Sequence, residues 1–310
     1  MIRVGRRVYN KDGSFTDPSY PGFTNIFCLT KSSEYGSVGP YELKDENGWI
    51  MENIYQAHKI YKKVPKSVQR YSRYDQTIIW DHGAEQHMDE KSNAILPAYW
   101  IWREKLMKNK YPVRYPVGFN YRDQCVGSIY LKDSNDKTNY QTLNYIDARK
   151  QIYMPVFIKL ARNHHQFKEL LDRLKKGENL LIIEVDGPHQ ESINYYIEKY
   201  SDKYVIGNDF IINNTILATA DNMKIMLNDS KHPFGHGYCL AIGLLDLNVG
   251  DNLNSVDELV NQIIKINDEV NMELNAVDNK VNKIKKINDD NKKDNLNIGK
   301  KIKVKITKLP

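Results

Sequence analysis

The sequence predicts a helix-rich α+β body that is followed by a coiled-coil helix. An apolar, β-branched run over residues 179–185 predicts a buried strand. The run before it, residues 167–176, has helical periodicity and is stopped by Gly177. A heptad pattern over residues 256–288 predicts a long final helix. Strands and helices that share one body indicate the α+β class.

The first elements in the chain lead to a helix with a polar face. Residues 32–43 are polar and contain glycine, which is typical of a loop and a short strand, and residues 44–49 predict a turn. The octet that follows predicts a helix in which Glu52, Gln56 and Lys59 share one face. A carboxylate, an amide and an ammonium on one face indicate a site, although a solvent-facing helix could carry the same residues.

The later elements deliver a second acid. Asp186, followed by Gly187-Pro188, stands at the exit of the strand predicted over 179–185, where it is either a functional acid or part of an ordinary turn. Residues 231–237 are rich in turn formers and predict a loop. The small and apolar run from Tyr238 to Leu247 predicts a buried helix.

Composition indicates a globular protein of the cytoplasm. The chain has 310 residues, of which 41% are hydrophobic and 11% aromatic. That is enough for a substantial core. No apolar run approaches the roughly 20 residues that cross a bilayer, and the N-terminus carries no hydrophobic signal segment. Cys28, Cys125 and Cys239 are widely spaced, which argues against a disulfide framework or a zinc knuckle. We therefore expect an intracellular protein that does not enter membranes, in host or viral cytoplasm.

The net charge of +6 belongs to the C-terminus. Residues 291–310 contain seven lysines and one acid, whereas residues 1–290 hold 38 basic and 38 acidic residues. The body is therefore neutral, which weakens a nucleic-acid role for it. The basic flexible tail, residues 289–310, either contacts phosphate or serves solubility.

The segment 255–288 predicts a coiled-coil helix between body and tail. Apolar residues alternate at spacings of four and three, with asparagine at two seam positions, Asn267 and Asn288. An asparagine in the seam fixes register at some cost in stability. The helix either joins copies of the chain into a homo-oligomer or folds back on the body.

Three places in the chain resemble the NADAR domains, a family associated with NAD and ADP-ribose. The first is a Tyr-Gly segment, a short strand and turn, and a helix of the form Glu-His-x-x-Gln-Ala-x-Lys. The second is a helix with a lysine, a Leu-Leu ending and a strand that delivers an acid. The third is a small, apolar last helix after a glycine-rich loop. Their counterparts here are Tyr35-Gly36, Glu52, Gln56, Ala57 and Lys59; Lys159, Leu170-Leu171, Gly177 and Glu184 or Asp186; and Tyr238 to Leu245. The chain departs from the family at Val38-Gly39-Pro40 and at Asn53.

The resemblance implies a single NADAR-like catalytic domain over residues 1–250, with an insertion at about 78–147. It implies an N-glycosidase that needs neither a cofactor nor a metal. The substrate class is ADP-ribosylated or phosphoribosyl, such as ADP-ribosylated guanine or a riboflavin-pathway intermediate. The expected partners are a nucleotide or ADP-ribose-like small molecule, and ADP-ribosylated nucleic acid.

The chemistry of N-glycosidic cleavage assigns roles to these residues. Positive charge builds on the sugar, so a carboxylate near that carbon is needed, and Glu52 is our candidate. The first turn of a helix favours its ionised form. The other expected residues bind the substrate or assist the reaction. Lys59 binds phosphate or holds Glu52, and Lys159 binds phosphate or carboxylate. Asp186 binds a ribose hydroxyl or shares the acid-base work. Trp49 or Trp80 stacks on the base, His236 contacts the base, and Gln56 and Tyr35 bind substrate.

Two other classes of function remain open at this point. A metal-dependent hydrolase would use His189, His232 and His236, with a carboxylate, to hold a divalent ion. Pro233 and Gly235 argue against a helical pair of histidine ligands there. A non-enzymatic scaffold would hold an ADP-ribose-type ligand and assemble through the coiled coil. Each site residue also has a plainer interpretation as a cap, a surface charge or a core aromatic.

Overall fold

A computed structural model describes residues 1–29, 33–64, 70–71, 76–77, 86–113, 123–132 and 136–249. The first compact unit spans Met1–Asp251. Its strands are β1 (Ile2–Arg6), β2 (Val8–Tyr9), β3 (Phe15–Thr16), β4 (Thr24–Phe27), β5 (Lys59–Tyr61), β6 (Arg70–Tyr71), β7 (Gln76–Thr77), β8 (Cys125–Leu131), β9 (Tyr140–Leu143), β10 (Leu180–Glu184) and β11 (Thr215–Leu217). Its helices are α1 (Met51–Ala57), α2 (Pro97–Met107), α3 (Tyr145–Ala148), α4 (Met154–Asn163), α5 (His165–Lys175), α6 (Ile193–Tyr200), α7 (Ala220–Asn228) and α8 (His236–Leu245). The α+β class is confirmed.

The main sheet has the strand order β11-β1-β10-β4. The strands β1, β10 and β4 run parallel, and β11 is antiparallel to β1. Every residue of β10 is buried, which the continuous apolar run predicted, because a central parallel strand is covered on both faces. The helix expected before it is confirmed as α5, and Gly177 follows that helix with a φ of +88°.

The last helix, α8, packs on β1 and β10 and is buried over almost its whole length. This confirms the buried helix predicted from the apolar run at 238–247. The helix begins at His236, two residues earlier than that run, after Gly235 in an extended conformation. The helix α4 covers α8, and α5 packs against both. The first residues of α8 therefore lie at the carboxyl end of β10.

A second sheet, β5-β8-β9, is antiparallel and has its own apolar cluster. The cluster includes Tyr61, Tyr99 and Trp102, all fully buried, from β5 and α2. The helix α1 packs against α2 on one side and α4 on the other. It therefore connects the second sheet to the helices of the main sheet.

Two expectations about the first half are wrong in part. The short strand expected within residues 32–43 is absent from residues 33–43; a 3-10 turn lies at Gly36–Val38, and Lys44 forms an isolated bridge with Ile50. The helix of Glu52 ends at Ala57, so Lys59 does not share its helical face. Residues after Ala57 pair with β8 instead, because Ile60 and Tyr61 bury their side chains better in a sheet.

Several predictions lie outside the described residues. These are the coiled-coil helix at 255–288, the basic tail at 289–310 and Trp80. The described parts of the expected insertion at 78–147 include α2, β8 and β9, of which β8 pairs with β5. No helix among the described residues is long and apolar enough to cross a membrane.

Candidate active site around Tyr153

Glu52 lies in the first turn of α1 and is 8% exposed. Its Oε1 accepts a hydrogen bond of 2.7 Å from Nε2 of Gln56, one helical turn later. The two side chains therefore share a helical face, as their spacing of four residues predicts. A carboxylate this well buried keeps its electrostatic effect on its neighbours, because little water screens it.

Gln56 has one amide atom that the fold does not satisfy. Its Nε2 must face the carboxylate of Glu52, since only the nitrogen can donate, and this fixes the orientation of the amide. Its Oε1 is then buried with no hydrogen-bond partner among the described residues. A buried acceptor without a donor costs about 1–3 kcal/mol. An orphaned acceptor beside a buried carboxylate is typical of a place where a ligand hydroxyl or amine donates.

Tyr153 is where the acids of three segments meet. Burial first, and then the electrostatic influence of Cys239, Glu52, Glu184 and Asp186, hold its pKa well above the ordinary value. These groups belong to α8, to α1 and to the end of β10 with the loop after it, so three parts of the fold influence Tyr153 electrostatically. The phenol stays protonated at every physiological pH. Its ring also contacts that of Tyr55 edge to face, with centroids 4.9 Å apart.

A π-helical turn, Arg149–Tyr153, carries Tyr153 to this position. Pro155 follows in the first turn of α4 and has no amide hydrogen to continue a regular ladder of hydrogen bonds. The backbone widens at that point, and such π turns are frequent at functional sites.

Glu184 and His236 form a buried pair at the carboxyl end of β10. Nδ1 of His236 lies 3.1 Å from Oε2 of Glu184, and Nε2 lies 2.5 Å from the carbonyl oxygen of Cys28. Both partners accept, so both ring nitrogens donate and His236 is an imidazolium. Burial alone would lower the pKa of His236, but the charge and hydrogen bond of Glu184 raise it above its ordinary value.

Two glycines make room for this carboxylate. A Cβ at Gly235 would overlap both carboxylate oxygens of Glu184, and one at Gly237 would lie 2.8 Å from Oε1. The amide of Gly237 instead donates to that oxygen at 2.9 Å. Glu184 therefore joins the end of β10 to the start of α8, and the glycine-rich loop noticed in the sequence is what allows it.

Asp186 is exposed, two residues beyond the end of β10. Its negative charge nevertheless contributes to the raised pKa of both Tyr153 and His236. The turn after it is tight: a Cβ at Gly187 would lie 2.8 Å from the carbonyl oxygen of Gly5. Asp186 is therefore the exposed one of the acids that raise the pKa of Tyr153.

The remaining expected residues are spread more widely. Lys59 projects from β5, with its Nζ 5.1 Å from the ring centroid of Tyr55, and so approaches the Tyr153 neighbourhood from another element. Lys159 is exposed on α4. Trp49 is half-buried and packs on the second apolar cluster. Its surroundings favour the plainer interpretation of a core aromatic.

Tyr35 is committed to a different contact. Its hydroxyl donates to Oε1 of Glu169 at 2.6 Å and accepts from Nη1 of Arg173 at 2.7 Å. Burial, together with the bond to Glu169, raises the pKa of Tyr35 to about 12. These bonds fasten the loop before Gly36 to α5 and leave the hydroxyl well occupied.

The three histidines of the metal hypothesis have different partners. His236 has both ring nitrogens engaged, so it offers no lone pair to a metal ion. His232 bonds Asp229 and Ser192, and His189 bonds Glu191. Within the residues that the structure describes, no three His, Cys, Asp or Glu side chains are grouped as a metal site would require.

The sequence predicted roles for Glu52, Gln56 and Asp186 but gave none to Tyr153. A tyrosine in a helical segment carries no signal of its own, and only the packing of α4 between α1 and α8 brings it to the acids. Glu184 stood only as an alternative counterpart of Asp186. Its position as the last strand residue before a turn was the available signal.

Comparison with known proteins adds no further constraint. No family model, no curated protein and no solved structure matches the chain. The resemblance to NADAR domains therefore stays a prediction from the motifs.

Proposed function

We propose that the chain is a metal-independent N-glycosidase of NADAR type that cleaves an ADP-ribosylated or phosphoribosyl substrate. The observation that carries the proposal is the buried carboxylate of Glu52, bound by Gln56, whose amide oxygen has no partner among the described residues. Either ADP-ribosylated guanine or a riboflavin-pathway intermediate fits this class of bond.

The chemistry of the site suits a reaction that develops positive charge. Cleavage of an N-glycosidic bond makes the sugar carbon and ring oxygen cationic, and a fixed carboxylate in a poorly solvated site stabilises that charge strongly. Glu52 takes this role and orients the attacking water. The free oxygen of Gln56 accepts from a sugar hydroxyl, which would satisfy it only when substrate is bound.

Asp186 and Lys59 take supporting roles in this proposal. Asp186 is the exposed one of the acids that raise the pKa of Tyr153, and it grips a ribose hydroxyl or shares proton transfer. Lys59 lies over the ring of Tyr55 and pairs with a substrate phosphate. His236 acts indirectly, because a hydrogen bond from it to a base would require breaking its bond to Glu184 or to Cys28.

The proposal places the protein in the cytoplasm, with a nucleotide or ADP-ribosylated nucleic acid as its partner. The three cysteines are free thiols, and Cys28 and Cys239 are buried. A reducing compartment suits free thiols. Phosphate contacts by the basic tail would draw a nucleic acid toward the body.

The test is product analysis by chromatography and mass spectrometry, with chelator present, on phosphoribosyl amines and on ADP-ribosylated guanine nucleotides and DNA. Wild type should release a free base from one member of the panel. Glu52→Gln should lower that rate about 10²–10³-fold, as the loss of one key electrostatic group does. The matched control is Glu46→Gln, at an exposed acid in the turn before α1, which should leave the rate unchanged.

Three results would contradict the proposal. Release that is equally fast in Glu52→Gln would remove Glu52 from the reaction. Saturable binding of ADP-ribose without any product would favour the scaffold function, and activity that chelator abolishes would favour a metal hydrolase.

A further inference from the structure

A second polar cluster, which the glycosidase proposal does not use, lies at the start of α6. Ser192 Oγ is 2.9 Å from Nε2 of His232, and Nδ1 of His232 is 2.5 Å from Oδ2 of Asp229. We call these three residues the Ser192 triad. Ser192 is half-buried, His232 is 8% exposed and Asp229 is 1% exposed. The hydroxyl is thus the outermost group and the carboxylate the innermost.

The carboxylate of the Ser192 triad is held in its ionised form. Asp229 accepts hydrogen bonds from the hydroxyls of Tyr195 and Tyr196, at 2.7 and 2.8 Å, and from the amide of Lys231 at 2.9 Å. Burial acts to raise the pKa of Asp229, but these bonds and the one from His232 together hold it below the ordinary value. An ionised Asp229 requires a proton on Nδ1 of His232. In the neutral ring, Nε2 is then the acceptor that faces Ser192.

The loop that carries the base and the acid is fixed by a buried arginine. Nη1 of Arg149 donates to the carbonyl oxygen of Asp229 at 2.6 Å, and Nη2 donates to that of His232 at 2.7 Å. Arg149 is 2% exposed. One guanidinium therefore sets the backbone of both residues, which is the support that a preorganised site needs.

Ser192 is not used as an ordinary helix cap. It occupies the position before α6, where a serine usually accepts from an amide of the first turn. Its side chain makes no capping hydrogen bond and faces His232 instead. The Ser192 hydroxyl thus bonds to the imidazole of His232 and does not cap the helix.

We propose that the Ser192 triad is a nucleophilic site that hydrolyses activated carboxylic esters. A serine hydroxyl, an imidazole and a carboxylate that lie within hydrogen-bond reach of one another in this order are the components of acyl transfer. The amides of Ser192 and Ile193 already donate to the carbonyl oxygens of His189 and Gln190. They do not serve a developing oxyanion, so the site takes esters with good leaving groups rather than peptides.

The reaction balances through His232. Oγ of Ser192 bonds to the ester carbonyl carbon while its proton passes to Nε2 of His232. The bond from that carbon to the alcohol oxygen breaks, and the alcohol leaves with the proton. Water then attacks the acyl carbon and gives a proton to Nε2 of His232. The Oγ–carbon bond breaks, and His232 returns this proton to Oγ of Ser192. The products are a carboxylic acid and an alcohol, with no change of oxidation state.

The test uses the full chain and two probes, p-nitrophenyl acetate and a fluorophosphonate, which bonds to an activated serine with loss of fluoride. We expect a burst of nitrophenol and a phosphonyl label on the peptide that contains Ser192. Ser192→Ala should abolish both, and Asp229→Asn should slow them about 10²–10⁴-fold because it disturbs the tautomer of His232. Ser201→Ala, at an exposed serine just after α6, is the matched control and should change nothing.

A second variant guards against effects of misfolding. Ser192→Cys should react with iodoacetamide at least tenfold faster than Ser201→Cys at neutral pH, because His232 takes up the thiol proton. Unfolding midpoints of all variants are measured alongside. The proposal would be overturned if the label were found on residues other than Ser192. It would also be overturned if the folded protein gave no label and the two cysteine variants were alkylated equally fast. Glu52→Gln should leave the ester reaction intact, which separates it from the glycosidase proposal.

Discussion

The charge of His236 depends on a carboxylate 52 positions earlier in the chain. Glu184 is fixed at the end of β10 and accepts from both the ring and the amide of Gly237. The second ring nitrogen donates to the carbonyl oxygen of Cys28. The doubly protonated ring therefore links three segments of the fold: the end of β10, the start of α8 and the loop after β4.

The pH dependence of stability should report this proton. The pKa of His236 is raised above its ordinary value. Burial acts to lower this pKa, but the charge and the hydrogen bond of Glu184 outweigh that effect. A raised value means that the folded state holds the proton more tightly. The contribution is fully present below about pH 6.5, the ordinary value for histidine, and is lost as the pH rises through the folded pKa.

We expect the free energy of unfolding to fall above pH 6.5 with a slope of up to about 1.4 kcal/mol per pH unit from this group. His236→Gln should remove that slope and cost about 3–5 kcal/mol at pH 6, because it leaves Glu184 unpaired. Denaturant titrations at several pH values measure both effects. His165→Gln, at an exposed histidine of α5, is the control. An unchanged slope in His236→Gln would contradict the assignment.

At this scale, spacing predicted some contacts and not others. The pair Glu52 and Gln56 followed from helical geometry, because both residues lie within α1. Lys59 did not, because β pairing with Ser128 displaced it from the helix. Tyr153 and the Ser192 triad join residues that are distant in the chain, so no local pattern carries them.

The helix α1 is short, and one buried amide adds hydrogen bonds to its packing against α2 and α4. Nδ2 of Asn53 donates to the carbonyl oxygens of Asn109 and Tyr111, at 3.0 and 2.9 Å, and its Oδ1 accepts from the amide of Val113 at 2.7 Å. The side chain is fully buried. A helix of seven residues has little stability of its own, so the hydrogen bonds of Asn53 to the segment after α2 help to hold Glu52 in place.

Asn53→Ala should lower the free energy of unfolding by about 3 kcal/mol, because it leaves buried backbone groups without partners. It should also weaken base release, since Glu52 precedes it directly. Asn47→Ala, at an exposed asparagine in the turn before α1, should cost less than about 0.5 kcal/mol. Chemical denaturation gives the comparison. Equal costs for the two variants would show that the amide is not what anchors α1.

Elements with a strong and uninterrupted pattern were predicted well. β10, α5 and α8 each have a continuous apolar run or a clear period, bounded by a glycine or a turn. The segment at 33–43 was predicted less well. Its Gly-Ser-Val turn and the bridge from Lys44 to Ile50 depend on contacts with other parts of the chain.

At the scale of the whole molecule, the sequence predicts assembly through residues 255–288. Leu274 occupies a seam position of the heptads, between Val270 and Val277. We expect the wild-type chain to sediment as an oligomer and Leu274→Glu to sediment as a monomer, because a seam carboxylate opposes burial. Glu273→Gln, off the seam, is the control. A monomeric wild type would favour the helix that folds back.

The α+β class followed from the sequence because the central strand and the buried helix are both strongly apolar. The second sheet did not, since β8 and β9 have weak patterns and Lys59, the first residue of β5, was expected on the helix of Glu52. Likewise Glu52, Glu184 and Asp186 stand in separate parts of the sequence, so no local pattern predicts that all three influence Tyr153. Local sequence therefore predicts the strongly apolar elements, whereas the candidate site depends on contacts between distant segments.

The most direct test of the central claim is where oxygen from water enters the product. The reaction is run in ¹⁸O-labelled water with the substrate from the panel that releases a base. If Glu52 directs water to the sugar carbon, mass spectrometry will find ¹⁸O on the ribose product and none on the base, and Glu52→Gln will form neither product at a comparable rate. Label on the base, or label on ribose that forms equally fast in Glu52→Gln, would contradict the account.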